Sequence, residues 1–392
     1  MKEEAIAYLN EVLDYIQEKS VGRQHIDWQA LRQEASALAA SAQTKAETYP
    51  AIERALELLG DHHSMFFDPE RAQLQWKGKA RHFGFRAIYP EGTIALVFPG
   101  SPADQAGLQV GDRIEMINGQ PLTAMTIEQF HRLTILNNTP PDLMLILKSR
   151  DQEIARSVHL QAASYVSRTK YQARRLEHNI GYLDLPGSGG NAQAQRTYAT
   201  KLQQSIRDLD QTAICGWVID LRREIGGGCW HLWAGIGPIL GEGAFCSFVG
   251  HSEIVTMFYR AGKVFADKWN HHVEADEPYE LKQPWPPVAV LTSQLTASAG
   301  EFVALAFRER PRARSFGEPT HGVPTGNHIK ELSDGAFIAL TSSLGANRTG
   351  QTYESPLLPD QYVKVDWMQL GTVADPVLEA AIQWLRAQGC CL

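Results

Sequence analysis

The chain has 392 residues, enough for two or three domains, and its 44% hydrophobic and 21% charged residues are those of an ordinary globular protein. A net charge of −7 leaves no basic excess to neutralise phosphates, which argues against nucleic acid as a partner. No run of about 18 apolar residues occurs, so no membrane span is expected, and Met1-Lys2-Glu3-Glu4 lacks an apolar signal core. The expected location is cytoplasmic as written, or periplasmic or secreted if a leader was removed. Five cysteines (Cys215, Cys229, Cys246, Cys390 and Cys391) without repeated spacing form neither a disulfide framework nor a zinc site.

Residues 1–66 read as a helical module. Ile6, Leu9, Leu13 and Ile16 form one apolar stripe. Asp27 caps a second helix bearing Trp28, Leu31, Ala35 and Leu38. Thr48-Tyr49-Pro50 opens a third, with Ile52, Leu56 and Leu59 on one face and Gly60 as its stop. Asp61-His62-His63-Ser64 follows. Adjacent histidines without Cys, Asp or His at ligand spacing make a poor metal site, which leaves two readings: a general base held by the post-helix turn, or a solvated pair.

From about residue 80 the composition turns β-rich. His82-Phe83-Gly84-Phe85 precedes a strand at Ile94–Phe98; a helix is expected at Ile127–Leu133 and a strand at Leu143–Leu147. The string SPADQAGLQVGDRIEMINGQPL within residues 80–163 closely resembles a PDZ domain of the bacterial protease type. That resemblance implies a carboxylate-binding loop at Phe83, Gly84 and Phe85, whose N–H groups would catch a peptide C-terminus. A PDZ fold serving only as a lid or spacer is the competing reading.

Residues 164–179, with Arg168, Lys170, Arg174 and Arg175, look like a connector. Beyond them strands and helices alternate: strands at Ile180–Leu185, Ile214–Leu221 and Val288–Thr292, helices at Ala192–Leu209, Trp230–Leu240 and Phe302–Arg308. Alternation of this kind predicts a layered α/β core with a largely parallel sheet, whose ligand sites lie at strand carboxyl ends. Gly226-Gly227-Gly228 and Ser298 both fall at such ends. Ser298 stands where a strand hands over to a helix, among the small neighbours Ala297, Ala299 and Gly300. The helix start offers free N–H groups and a positive dipole end to a developing oxyanion, as a serine nucleophile requires. Simple capping by Thr296 or Ser298 fits the same pattern.

LGDHHS at 59–64, the PDZ string, DLRREIGGG at 220–228, TASAGE at 296–301, GEPTHGVPTGN at 317–327 and LPD at 358–360 occur in fixed order. Together they resemble the C-terminal processing peptidase family of serine proteases over nearly the whole chain. The resemblance implies a ClpP/crotonase-like α/β core over residues 164–392. It also implies a serine-type endopeptidase or peptidase that acts on peptide or unfolded polypeptide, without metal or organic cofactor, as a monomer or a homo-oligomer.

The family's processing branch carries a lysine base where this chain has Val323, and Lys330 does not match that position. The tricorn-like branch uses a histidine, which His63 matches. In that reading Ser298 is the nucleophile, His63 the base, Glu354 the orienting carboxylate and Ser64 a relay, with the Gly227 and Ala299 N–H groups as the oxyanion hole. Glu224 stands where the family commonly shows asparagine. A binding protein that retains the fold without catalysis, and a peptide-docking adaptor working through its PDZ part, are the alternatives. A complete serine, histidine and glutamate set favours the enzyme.

Overall fold

The computed structural model describes residues 2–134, 140–150, 154–166, 170–187, 189–212 and 214–390; Arg168 of the expected connector and the Cys391-Leu392 end lie outside them. Helices α1 (Glu3–Lys19), α2 (Trp28–Leu38) and α3 (Tyr49–Glu57) form as their stripes predict, the second capped by the Asp27 carboxylate on the Ala30 N–H. The stripe of α1 is rotated slightly from expectation. Ala5, Tyr8, Leu9, Val12, Leu13 and Ile16 are buried and Ile6 is exposed.

After the turn at 61–64 come β1 (Met65–Phe67) and α4 (Pro69–Trp76). Strand β2 (Lys79–His82) leads into β3 (Phe85–Ile88), β4 (Thr93–Val97), α5 (Pro102–Gln105), β5 (Arg113–Ile117), β6 (Gln120–Pro121), α6 (Ile127–Thr134), β7 (Asp142–Lys148) and β8 (Ala155–Gln161). Strands β3 to β8 make one antiparallel sheet around Phe83, Phe85, Ile114, Phe130 and Leu145. Returning along β2, β9 (Ala163–Val166) pairs with it and closes the neck of this unit.

The rest contains the anticipated alternation, interrupted by two unanticipated runs of strands: β10 (Gln172–Leu176), β11 (Ile180–Asp184), α7 (Ala192–Leu209), β12 (Gly216–Asp220), α8 (Trp230–Leu240), β13 (Gly243–Gly250), β14 (Ile254–Arg260), β15 (Lys263–Ala266), β16 (His272–Glu274), β17 (Val288–Thr292), α9 (Ala299–Phe307), β18 (Ala313–Gly317), β19 (Thr325–Glu331), β20 (Phe337–Asn347), β21 (Thr352–Tyr353), β22 (Gln361–Tyr362) and α10 (Pro376–Leu385). One sheet runs β10-β11-β12-β17-β18-β22 and is parallel except for β10. The presumed connector is thus largely strand. Arg174 and Arg175 suit a sheet edge, with Arg174 stacked over the Tyr182 ring.

A second, antiparallel sheet runs β1-β20-β13-β14-β15-β16, with β19 and β21 also on β20. Helices α7, α8 and α9 fill the space between the sheets around Trp217, Trp233, Phe245 and Phe302. The helical module packs on the second sheet through Leu332, Ile338 and Leu340. On the far face of the parallel sheet, α10 joins Ala95, Leu96 and Phe98 of the PDZ-like unit around Val218, Leu291, Leu295 and Phe316.

Strand β12 ends in the Asp-Leu-Arg turn. Fully buried, Arg222 bonds Asp220 at 3.0 and 2.6 Å and Asp375 at 2.9 and 2.7 Å. The Tyr182 hydroxyl donates to Asp220 at 2.8 Å. Replacing the arginine strands two buried carboxylates; Arg222→Ala is expected to lower the unfolding free energy by about 3–5 kcal/mol, read by denaturant titration.

Candidate active site

The loop that Arg222 anchors is tied to the turn before α9 by three hydrogen bonds. The Ser293 hydroxyl donates to the Arg222 carbonyl at 2.8 Å, the Thr296 hydroxyl to the Leu221 carbonyl at 2.9 Å, and the Ala297 N–H to the Glu224 carbonyl at 3.0 Å. Glycines with φ of +108° and +129° at Gly226 and Gly227 let the loop turn back over the helix start. A methyl group placed on Gly226 would lie 3.4 Å from the Ser298 Cβ, so glycine loop and serine are neighbours.

Ser298 caps α9 with φ 50° and ψ −106°, backbone angles that an L-residue rarely adopts. Its N–H donates to Glu301 Oε2 at 2.9 Å. The same carboxyl accepts from the Thr320 hydroxyl at 2.5 Å and from the Gly322 and Val323 N–H groups at 2.9 Å each. Burial pushes the Glu301 carboxyl up to about 7, against the pull of these donors. The capping and nucleophile readings of the sequence are therefore compatible. The serine is held at the helix start by a carboxylate, in a strained turn that presents its side chain.

His63 reaches this cluster through β19. Its Nδ1 lies 2.7 Å from the Thr325 hydroxyl, and the Thr325 N–H donates to the Val323 carbonyl at 2.7 Å. Asp61 sets the turn by accepting from the N–H groups of His63 and Ser64 at 2.9 and 2.8 Å. Burial lowers His63 to about 4, with Asp61 pulling the other way and His321 adding to the fall. Ser64 donates its hydroxyl to Asp61 at 2.6 Å and accepts from the Thr341 N–H at 3.0 Å, so it braces the turn.

Glu354 is exposed just past β21 and makes no hydrogen bond to His63 among the described residues; the imidazole is met by Thr325 instead. Lys330 lies against Glu11 at 3.4 Å and over Tyr15, away from this cluster. Val323, at the family's lysine position, gives only its N–H to Glu301. Sequence reasoning missed Thr325, although it lies in the quoted GEPTHGVPTGN run.

The PDZ-like unit meets the site at His321. Its N–H donates to the Thr296 carbonyl at 2.9 Å, and its ring lies 5.2 Å from that of His131 on α6. Burial lowers His321, a hydrogen bond with the Gln294 backbone opposes the fall, and Arg86 of β3 adds a like charge that deepens it. Burial first, then His321, lowers His131 to about 4. Phe83 and Phe85 of the expected carboxylate loop are fully buried, and the Gly84 carbonyl accepts from the Phe98 N–H at 2.9 Å.

A strained serine ahead of a helix, beside a glycine loop at the carboxyl ends of parallel strands, has the layout of a serine hydrolase on a layered α/β core. Residues 179–363 match peptidase family S41 and residues 93–147 match the PDZ domain. A carboxyl-terminal-processing protease of Synechocystis sp. is 27% identical over 383 residues, covering 92% of this chain and 82% of that one. A C-terminal processing peptidase of Tetradesmus obliquus is 23% identical, covering 88% and 71%. The solved photosystem II D1 C-terminal processing protease shares the fold with a TM-score of 0.60 at 20% identity, covering 97% of this chain and 98% of that one. Residues 179–363 are thus a peptidase family S41 domain beside a PDZ domain, and the chain is a serine peptidase similar to the C-terminal processing peptidases. No described helix is long and apolar enough to cross a membrane.

Strain at Ser298 gives a direct test. Glycine tolerates φ 50° where alanine does not, so Ser298→Gly should exceed Ser298→Ala in stability by about 1–2 kcal/mol, compared by thermal unfolding.

Proposed function

We propose that this peptidase works through Ser298 and His63, as in the tricorn-like branch of the family, and not through a serine–lysine pair. The observation that carries the reading is the continuous run of hydrogen bonds from the Ser298 N–H through Glu301, Val323 and Thr325 to the His63 ring. In the tautomer with Nδ1 protonated, that nitrogen donates to the Thr325 hydroxyl and Nε2 is left to act as base. It takes the Ser298 hydroxyl proton as Oγ bonds the scissile carbonyl carbon. The oxyanion is received by the N–H groups of Ala299 and Gly227. As the C–N bond breaks, His63 returns the proton to the leaving amine. Water, deprotonated by the same ring, then cleaves the acyl ester and restores Ser298.

Thr325 takes the orienting place beside the imidazole, while Glu354 is the carboxylate that the resemblance offers. The division into a helical module at 1–66, a PDZ unit at 80–163 and a catalytic core at 164–392 belongs to the same proposal. Carboxyl-terminal processing by the relatives supports a polypeptide substrate presented by its C-terminus. The PDZ unit would dock or gate that end, with Phe83, Gly84 and Phe85 as its loop. Contact between His131 and His321 supports gating, because it sets α6 against the loop that carries Glu301's partners.

A fluorophosphonate needs no knowledge of the substrate. Wild-type protein should be labelled, Ser298→Ala and His63→Ala should not, and Lys330→Ala should match wild type; labelling of His63→Ala at the wild-type rate would refute the proposed base. Because His63 is lowered to about 4, its neutral form persists on acidification. The labelling rate should hold from pH 7 to about 5 and fall only as pH drops through about 4, where an unperturbed histidine would give a fall near 6.5.

A further inference from the structure

Glu224 is an ionisable side chain of the glycine loop that the proposed mechanism leaves unused. It is fully buried. Both of its carboxyl oxygens lie 3.3 Å from the Gly226 N–H. The Gly300 amide, in the first turn of α9, gives its N–H to the Ala297 carbonyl at 2.9 Å and lies close enough to the carboxyl to oppose its rise. A methyl group on Gly300 would fall 2.4 Å from Oε2, and one on Gly187 3.3 Å from Oε1, so the carboxyl fits a slot that these glycines leave open. Its backbone carbonyl meanwhile holds the Ala297 N–H. One residue therefore joins the glycine loop, the serine turn and the helix start.

We propose that Glu224 is a positioning residue of the oxyanion site, its buried carboxyl bridging the Gly226 amide and the first turn of α9, and that the site is competent with this carboxyl in its neutral form. The inference rests on Ser298 being the nucleophile and on the glycine loop supplying an oxyanion donor. A neutral acid still has a carbonyl oxygen to accept the Gly226 amide. An anion would set a second negative charge beside Glu301 and close to where the tetrahedral intermediate develops its own.

Burial pushes Glu224 up to about 8, with the Gly226 and Gly300 amides opposing and Glu301 reinforcing the rise. The groups that face it are Glu301 from α9 and the Cys229 thiol just before α8, the latter pushed up by burial and by Glu224 itself. Glu301, raised to about 7, is held by four donors and ionises first. The family's asparagine would accept the same bonds at any pH. Glutamate makes the site proton-dependent.

The test is the second-order rate of fluorophosphonate labelling between pH 6.5 and 9.5. In that reaction the Ser298 Oγ–P bond forms, the P–F bond breaks, fluoride leaves and the proton passes to His63. Wild type should lose about tenfold between pH 6.5 and 9, with a midpoint near 8. In Glu224→Gln the ratio of the two rates should stay near one. Glu224→Ala should label slowly throughout while remaining folded by circular dichroism. An alkaline fall of wild-type size in Glu224→Gln, or a wild-type profile in Glu224→Ala, overturns the proposal. Labelling of Ser298→Ala would instead refute the nucleophile assignment. Infrared difference spectra of wild type against Glu224→Gln read the carboxyl without catalysis: a protonated-acid carbonyl band lost near pH 8 is expected, and its absence at pH 6.5 overturns the inference.

Discussion

Arg222 is the constraint on which the active-site end of the core depends. A guanidinium with no exposure is held by Asp220 on the strand before it and by Asp375 at the start of α10, far along the chain. Its forked donors match two carboxylates in a way that lysine could not. The backbone carbonyls of Leu221 and Arg222 then receive the hydroxyls of Thr296 and Ser293. One buried charge cluster thereby fixes the height of the glycine loop against the serine turn. Ion pairs this deep contribute little net stability compared with an apolar substitute; what they contribute here is register.

Around that fixed floor, the functional side chains come from distant segments. His63 follows a helical module that the second sheet recruits through β1 and β20, and Thr325 begins the strand beside β20. His321 lies in the loop between the two sheets' contributions and faces the PDZ unit. The candidate catalytic groups thus sit where helical module, core and PDZ unit converge.

Much of this was legible in the sequence, for physical reasons. Apolar runs such as Val288–Thr292 are buried on both faces in a parallel sheet, and their composition says so. Ser298 is marked as a candidate by its small neighbours and the change of period behind it, and the fold sets it beside the glycine loop. The antiparallel sheet was harder to read, because β20 pairs with β1, β13, β19 and β21 over separations that no local pattern encodes. Thr325 and Asp375 were illegible for the same reason, since a threonine at a strand start and an aspartate before a helix look like local caps. Glu354 is offered as a triad carboxylate by the resemblance alone, and the fold leaves it exposed past β21. Glu224 stood out only as a departure from a motif, and only its burial shows what that departure could do.

The apolar seam between the PDZ unit and the back of the parallel sheet has a consequence for how the molecule could be taken apart. Ala95, Leu96 and Phe98 share one cluster with Leu291, Leu295 and Phe316, and Leu295 lies three residues before Ser298. A PDZ domain joined by a loose tether could be cut away or exchanged like a cassette. This one forms part of the wall behind the Ser298 turn, so its excision would open an oily face on the enzyme, and a foreign PDZ domain would have to reproduce that face before its peptide groove mattered.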